Sequence, residues 1–396
     1  MNYFFLPRSR NILILCLALV LRFGNAGAQP CHLRISLLTC ASGTDLYATF
    51  GHSALRVIDS TTGADYVFNY GTFDMDTPHF YWKFVRGRLM YSLSVSDFPS
   101  FMVEYHEEKR KVTEQILNLS CSEKQAVWQF LRQNYQPQNR YYKYDFLFDN
   151  CATRLRDIFS GIFDSAWQVP DIVPEPGLTF REIINRYLRN KPWERVGINL
   201  MFGKRTDAAM DSRQIVFLPQ YLEVAFDSAR VHGQPLVSEK KTVYDPGVSV
   251  GQSYPFSHQP MLWFSLLAIL VILASFYRQN PLSRTVLPWV DRCLFFLTGL
   301  LGCFLLFMWF GTDHKVCAWN YNLLWAFPPN IVFSFYAHRT TPRVRKYATW
   351  VILLNLLLLL GWFVLPQQLP SEVIPFIAML VVRAWQILIR PRVPLR

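Results

Sequence analysis

The chain has 396 residues, 51% of them hydrophobic and 17% charged, and 40 Lys and Arg against 28 Asp and Glu give a formal net charge of +12. That excess does not point to nucleic acid, because part of it flanks apolar runs and part lies in a region that would face anionic lipid headgroups. Internal repeats and low-complexity stretches are absent.

Residues 1–28 read as a secretory signal, with Arg8 and Arg10, an apolar run from Ile12 to Leu21, and Ala26-Gly27-Ala28 as a small-residue cleavage site. Were the segment kept as an anchor, its arginines would still face the cytoplasm and the next domain would still be exported. Residues 29–235 are enough for one globular domain with a sizeable core. Within it, Leu33 to Thr39, His52 to Ile58 and Tyr66 to Tyr70 read as strands, the last two joined by a Ser/Thr/Gly-rich turn from Asp59 to Ala64 into an antiparallel hairpin. Phe80 to Tyr91 mixes aromatics with Lys83, Arg86 and Arg88, a pattern that suits a bilayer interface or an acyl-chain groove as well as ordinary core with a basic edge. Ser122 to Tyr135 reads as a scaffold helix with Ser122 and Gln125 as its capping box.

Asn150-Cys151 opens the next helix, whose Leu155, Ile158, Phe159 and Ile162 repeat at the spacing of one buried face. Asp149 or Asn150 can cap it. Cys151 lies one turn before Leu155, so its sulfur points inward beside the free amides of the first turn, which lower a thiol pKa and can hold an oxyanion. About a hundred residues earlier, His52 follows Gly51 at a strand start, where a glycine lets backbone make room for substrate. Cys151 as nucleophile and His52 as base is the chemical reading; a small buried thiol and a structural histidine are the plain alternatives, with His32, His79 and His106 as rival bases. A hairpin turn centred near Thr61 and Thr62 brings Asn69 within diagonal reach of His52, where it would orient the imidazole. A one-residue slip would leave Tyr70 or a backbone carbonyl in that role. Asn150, Tyr70 and Asn322 are the candidates for substrate contacts.

Residues 236–260, with Pro246, Pro255 and Pro260, form a linker. Beyond it, residues 261–396 hold five apolar runs: Met261 to Tyr277, Leu294 to Phe310, Tyr321 to Ala337, Tyr347 to Leu365 and Val373 to Ile389. Threading them from an exported domain puts Arg278, Arg284, Arg292, Arg339, Arg343, Arg345, Lys346, Arg390, Arg392 and Arg396 inside and only Lys315 outside, which obeys the positive-inside rule and leaves the C-terminus cytoplasmic. Asp313, His314, Asn320, Asn322 and Pro328-Pro329 cluster in or near the third run, where two prolines imply a broken helix and polar groups line a cavity or a protein interface, a structural kink being the other reading. Arg383 is placed to snorkel from the fifth run. A disulfide among Cys31, Cys40 and Cys121 is open, and no zinc-type Cys/His spacing occurs.

The stretches LLTCASGTDLYATFGHSALRV, VFNYGTFD, RYYKYDFLFDNCATRLRD and IVFLPQYL resemble the exported N-terminal domain of the Lnb family across most of residues 31–230, and WNYNLLWAFPPN in the five-run tail fits its full-length members. The His-before-Cys order is similar to the circularly permuted branch of the NlpC/P60 papain-like superfamily. The resemblance implies an α+β papain-like domain in the periplasm, followed by an all-α five-span domain in the bacterial inner membrane. It further implies a lipoprotein N-acyltransferase, which moves an acyl chain from a membrane phospholipid to the N-terminal amine of diacylated lipoproteins. Cys151 would be its nucleophile and His52 its base, with no cofactor and no metal. A periplasmic cysteine peptidase or amidase acting on the cell wall is the alternative reading of the same dyad.

Overall fold

A computed structural model describes residues 31–247, 255–277 and 281–391; the signal segment, Cys16, Arg278, Arg392, Arg396 and the middle of the linker lie outside the described residues. In chain order the first part comprises β1 (Leu33–Cys40), β2 (His52–Asp59), β3 (Ala64–Thr72), α1 (Phe80–Val85), β4 (Met90–Asp97), α2 (Phe98–Glu107), β5 (Val112–Leu117), α3 (Cys121–Asn134), β6 (Tyr141–Lys143), α4 (Cys151–Phe163), β7 (Trp167–Gln168), α5 (Phe180–Tyr187), α6 (Pro192–Met201), α7 (Pro219–Ser228), β8 (Arg230–Val231), β9 (Gln234–Pro235) and β10 (Val237–Tyr244). Seven strands make one antiparallel sheet in the order β10-β5-β1-β2-β3-β4-β6. Strand β1, beside the central β2, is buried almost end to end, because helices cover both sheet faces there. On one face α4 lays Leu155, Ile158 and Phe159 against Leu55 and Phe68 of the hairpin. Each of those side chains contributes roughly 1.5–3 kcal/mol by leaving water. On the other face α2 packs Phe101, Met102 and Tyr105 over Leu38, Cys40 and Val67. The polar edge strand β10 carries Glu239, Lys240 and Lys241, charges that keep a free edge from pairing with another chain.

The cap of α3 differs from the sequence expectation. Ser120 and Glu123 form the box, two residues before Ser122 and Gln125, so the helix begins at Cys121. The described cysteines are free thiols; Cys31 and Cys121 meet at the surface, where Cys31 raises the Cys121 pKa by hydrogen bonding, and Cys40 is buried.

The second part comprises α8 (Pro260–Phe276), α9 (Pro281–Phe310), α10 (Asn330–Tyr336), α11 (Pro342–Leu360) and α12 (Ile374–Leu388). Among the described residues, Arg284–Phe310 and Ser371–Leu388 are long and apolar enough to cross a bilayer, and Pro260–Phe276 is a shorter apolar helix. The third apolar run is not one helix: a 3-10 turn at Tyr321–Leu324 and the seven-residue α10 flank Pro328-Pro329, where the proline rings interrupt the hydrogen-bond ladder. Arg383 does not snorkel. It is buried and grips Asp291 of α9 through Nε at 2.6 Å and Nη2 at 3.1 Å, with Nη1 on Ser275 of α8, while Arg390 reaches the same carboxylate at 2.7 Å. A buried carboxylate is tolerable only when paired in this way.

The two parts meet at the C-terminus of α6. The last carbonyls of a helix lack intrahelical donors, and here the membrane part supplies them. Asn320 Nδ2 donates to Leu200 O (2.7 Å) and Met201 O (3.0 Å), Asn322 Nδ2 to Leu200 O (3.2 Å), and Gln367 Nε2 to Phe202 O (2.9 Å). From the first part, buried Arg181 adds bonds to Phe202 O and Gly203 O and an ion pair with Asp207.

Candidate active site

The start of α4 lies against the β2–β3 hairpin. Asn150 caps the helix: its Oδ1 accepts from Thr153 N at 2.9 Å, while its own N–H donates to Thr153 Oγ1 at 2.7 Å. Its Nδ2 is equally committed, to Phe146 O and Phe217 O, both at 2.8 Å. Buried and bonded through its N–H, Oδ1 and Nδ2, Asn150 holds the helix start in place. Asp149 instead forms a bidentate pair with Arg154 at 2.6 and 2.8 Å.

Cys151 is therefore delivered at the first helical position, 8% exposed. His52 opens β2 beside it. Burial pushes the thiol pKa up, but the charge and hydrogen bond of His52 and the backbone N–H groups of Ser53 and Ala152 outweigh it, and the net shift is down. For His52 burial acts to lower the pKa; the Cys151 charge and hydrogen bonds to Cys151 and Asn69 outweigh it, and the net shift is up. The pair thus favours thiolate and imidazolium together. Cys40 shows the contrast: its backbone pairs with His52, but its side chain bonds Tyr105 and not the imidazole, and burial pushes its thiol up to about 12.

Asn69 Oδ1 accepts from His52 Nε2 at 2.5 Å, which leaves Nδ1 for the sulfur. Leu55 pairs with Phe68 and Asp59 with Ala64, so the turn is centred at Thr61 and Thr62 and Asn69 lies on the imidazole's side of the sheet. Tyr70 takes the opposite face, 1% exposed, with its hydroxyl on Asn134 Oδ1 at 2.5 Å, and forms part of a cavity wall. Asn322 is fully buried in the joint below α6 and is not among the residues lining that cavity. Of the rivals to His52, His106 packs against Tyr244 with its ring tilted and His79 precedes α1.

Two glycines shape the site. Gly51, at φ +77°, makes room for the Cys40 carbonyl rather than for substrate: a Cβ there would sit 2.7 Å from that oxygen. Gly71, at φ +96°, lies where the β3–β4 register shifts between Tyr70 and Thr72, and a Cβ would fall 3.9 Å from both Cys151 and Tyr144. Gly71 and Tyr144 are the site residues that sequence reading passed over; a glycine inside a strand was the available signal for a bulge.

From Tyr144 a track of rings leads away from the sulfur. Tyr144 stacks on Tyr91 (4.5 Å between centroids), Tyr91 meets Phe73 (5.3 Å), and Phe73 meets Phe80 of α1 (5.8 Å). On α1, Trp82 stacks on Phe307 near the end of α9 at 6.1 Å, while Tyr81 is 82% exposed. Arg86 and Phe84 fasten this segment to the α9 end through Gly311, Asp313 and His314. A cavity of about 1030 Å³ opens between the two parts, walled by Tyr70, Tyr144 and Arg154 on one side and Trp309, Thr312 and Lys315 on the other. Among the described residues no group of three or more His, Cys, Asp and Glu side chains is disposed to hold a metal ion.

An α+β domain built on an antiparallel sheet is joined to apolar helices, and the periplasmic and transmembrane domains that the chain matches make it a membrane protein whose N-terminal domain is exported. Two family models match the chain, the Lnb N-terminal periplasmic domain over residues 22–186 and the Lnb transmembrane domain over residues 252–391. The chain belongs to the Lnb family. Neither curated proteins nor solved structures returned a match.

Proposed function

We propose that this protein is a thiol-dependent lipoprotein N-acyltransferase, with Cys151 as nucleophile, His52 as acid and base, and Asn69 as the group that orients the imidazole. The observation that carries the reading is the Cys151–His52–Asn69 chain at a helix start, which Tyr144 separates from a cavity at the junction with the transmembrane domain. The His-strand-before-Cys-helix order supports a circularly permuted papain-like arrangement. Residues 29–235 would be the catalytic domain and residues 1–28 a signal segment. The five apolar runs, one of them broken, would cross the inner membrane and leave the C-terminus in the cytoplasm.

The Cys151 thiolate attacks the ester carbonyl of a phospholipid, and the negative oxygen is met by the backbone N–H of Cys151 at the helix start, the Thr153 N–H being held by Asn150. The C–O bond breaks, His52 gives its proton to the departing lysophospholipid alkoxide, and a thioester remains on Cys151. The amine of a diacylglyceryl-cysteine lipoprotein then attacks the thioester, His52 takes the amine proton, and the amide forms as the sulfur leaves. Burial of Cys151 favours this outcome over hydrolysis by limiting water. The ring track from Tyr144 to α1 is suited to the acyl chain.

Mass spectrometry of a reporter lipoprotein's N-terminal lipopeptide tests the reading. Cells with the intact protein should yield a triacylated peptide, and cells with Cys151→Ala a diacylated one. Equal triacylation in both would remove N-acylation and shift the reading to a cell-wall amidase. With acceptor withheld, an adduct of fatty-acid mass should accumulate on Cys151.

A further inference from the structure

The cavity lined by Tyr70, Tyr144 and Arg154 has neither Cys151 nor His52 in its wall and approaches the sulfur through Tyr144; it contains charges that the chemistry above does not use. Its four carboxylates are all engaged: Asp149 by Arg154, Asp313 by Lys143 at 2.9 Å and Arg88 at 3.6 Å, Asp157 by Arg156 at 2.8 Å, and Asp145 by the N–H groups of Leu147 and Phe148. Two of its four cations, Lys143 and Arg154, are spent in those pairs. The other two, Arg205 and Lys315, have no carboxylate partner among the described residues; Arg205 only overlies the Phe148 ring, 5.9 Å from its centroid. The uncommitted charge of the cavity is therefore positive. It comes from both parts of the protein, since Arg205 follows α6 and Lys315 lies in the loop after α9.

The lining also includes the rings of Phe148, which Arg205 overlies, Trp309 and Tyr144, the last of which meets Gly71 next to Cys151. A volume of about 1030 Å³ is at the upper end of what small-ligand sites occupy. Unpaired cations set among rings, at the level where an apolar helix leaves its run, fit an amphiphile whose anionic group is a phosphate. We infer that Arg205 and Lys315 hold the phosphodiester of the donor lipid headgroup in this cavity, so that the adjoining glycerol ester faces Cys151. The assignment rests on the acyl-transfer reading and adds to it the residues that select a phospholipid over other acyl esters.

The test uses the full-length protein in lipid nanodiscs with two acyl donors, phosphatidylethanolamine and a long-chain p-nitrophenyl ester that carries no phosphate. Arg205→Gln and Lys315→Gln should each raise KM for the phospholipid on the order of tenfold, the loss of one charge-assisted contact, with turnover of the p-nitrophenyl ester within about twofold of the parent. Equal losses with both donors, or no loss with the phospholipid, would overturn the assignment. A second measurement is independent of activity: native mass spectrometry of Cys151→Ala protein should show retained phosphatidylethanolamine that Cys151→Ala/Arg205→Gln/Lys315→Gln protein lacks. Equal retention would overturn the assignment. Inorganic phosphate in millimolar excess should leave the retained lipid in place; its displacement would assign the two cations to a free anion instead. A parent protein that retains lipid through these cations yet acylates nothing would sink the transferase reading and leave the binding site standing.

Discussion

Asn69 and His52 meet across the β2–β3 hairpin on a diagonal, with Oδ1 2.5 Å from Nε2. By the register that pairs Leu55 with Phe68, Asn69 falls opposite Ala54, two residues from His52 on the same face. The contact therefore depends on the turn holding its length.

Asn69→Ala should lower acyl transfer by about 10- to 100-fold, by analogy with the loss of a group that orients a metal-bound imidazole. Folding should be intact, because the position is only half-buried. A thermal melt beside the rate measurement separates the two, and an unchanged rate would remove Asn69 from the site.

The shifts of the dyad set a pH window. Cys151 is lowered and His52 raised. As pH falls through the lowered thiol value the sulfur regains its proton and stops reacting; as pH rises through the raised imidazole value the proton needed by the leaving alkoxide is lost. The pH–rate profile should be bell-shaped. Alkylation of Cys151, read by peptide mass spectrometry so that the exposed cysteines do not intrude, should have its midpoint below the ordinary thiol range, and His52→Ala should move it upward. A midpoint that stays put in the variant would mean that His52 does not govern the thiol.

Gly51→Ala combines a left-handed backbone with a Cβ 2.7 Å from the Cys40 carbonyl. The expected loss is about 1–3 kcal/mol of stability from the backbone alone, visible as a lower melting temperature. His52 is the next residue, so the rate should fall as well. A variant that melts normally would show that the β1–β2 connection can shift at little cost.

In the membrane part, Asp291 serves two arginines whereas Arg383 shares its carboxylate with Arg390. Asp291→Leu strands two buried or half-buried cations and should cost about 3–5 kcal/mol, reducing abundance in the membrane. Arg383→Met leaves Asp291 still paired with Arg390 and should cost less. Immunoblots of membrane fractions would rank the two, and the reverse order would contradict the pairing described.

The α4 helix, its cap and the hairpin register were legible in the sequence because each is local: apolar spacing, one Asn before a Cys, and a short polar turn. Long-range partners were not. Nothing near Asn150 in sequence announces Phe217 O, which consumes its amide, and nothing near Asn322 announces the end of α6. Arg383 was misread for the same reason, its partner Asp291 lying 92 positions away. Gly51 gave a true signal of close approach but not of what approaches.

The joint beneath α6 works as a fixed standoff. Asn320, Asn322 and Gln367 tie the exported domain to the membrane part through backbone carbonyls, which cannot be repositioned as side chains can. The exported domain that carries Cys151 is thus held in one position on the apolar helices. On the acyl-transfer reading, a lipoprotein is then chosen by where its lipidated terminus floats, not by the sequence beyond it, and proteins with unrelated bodies can share one catalyst.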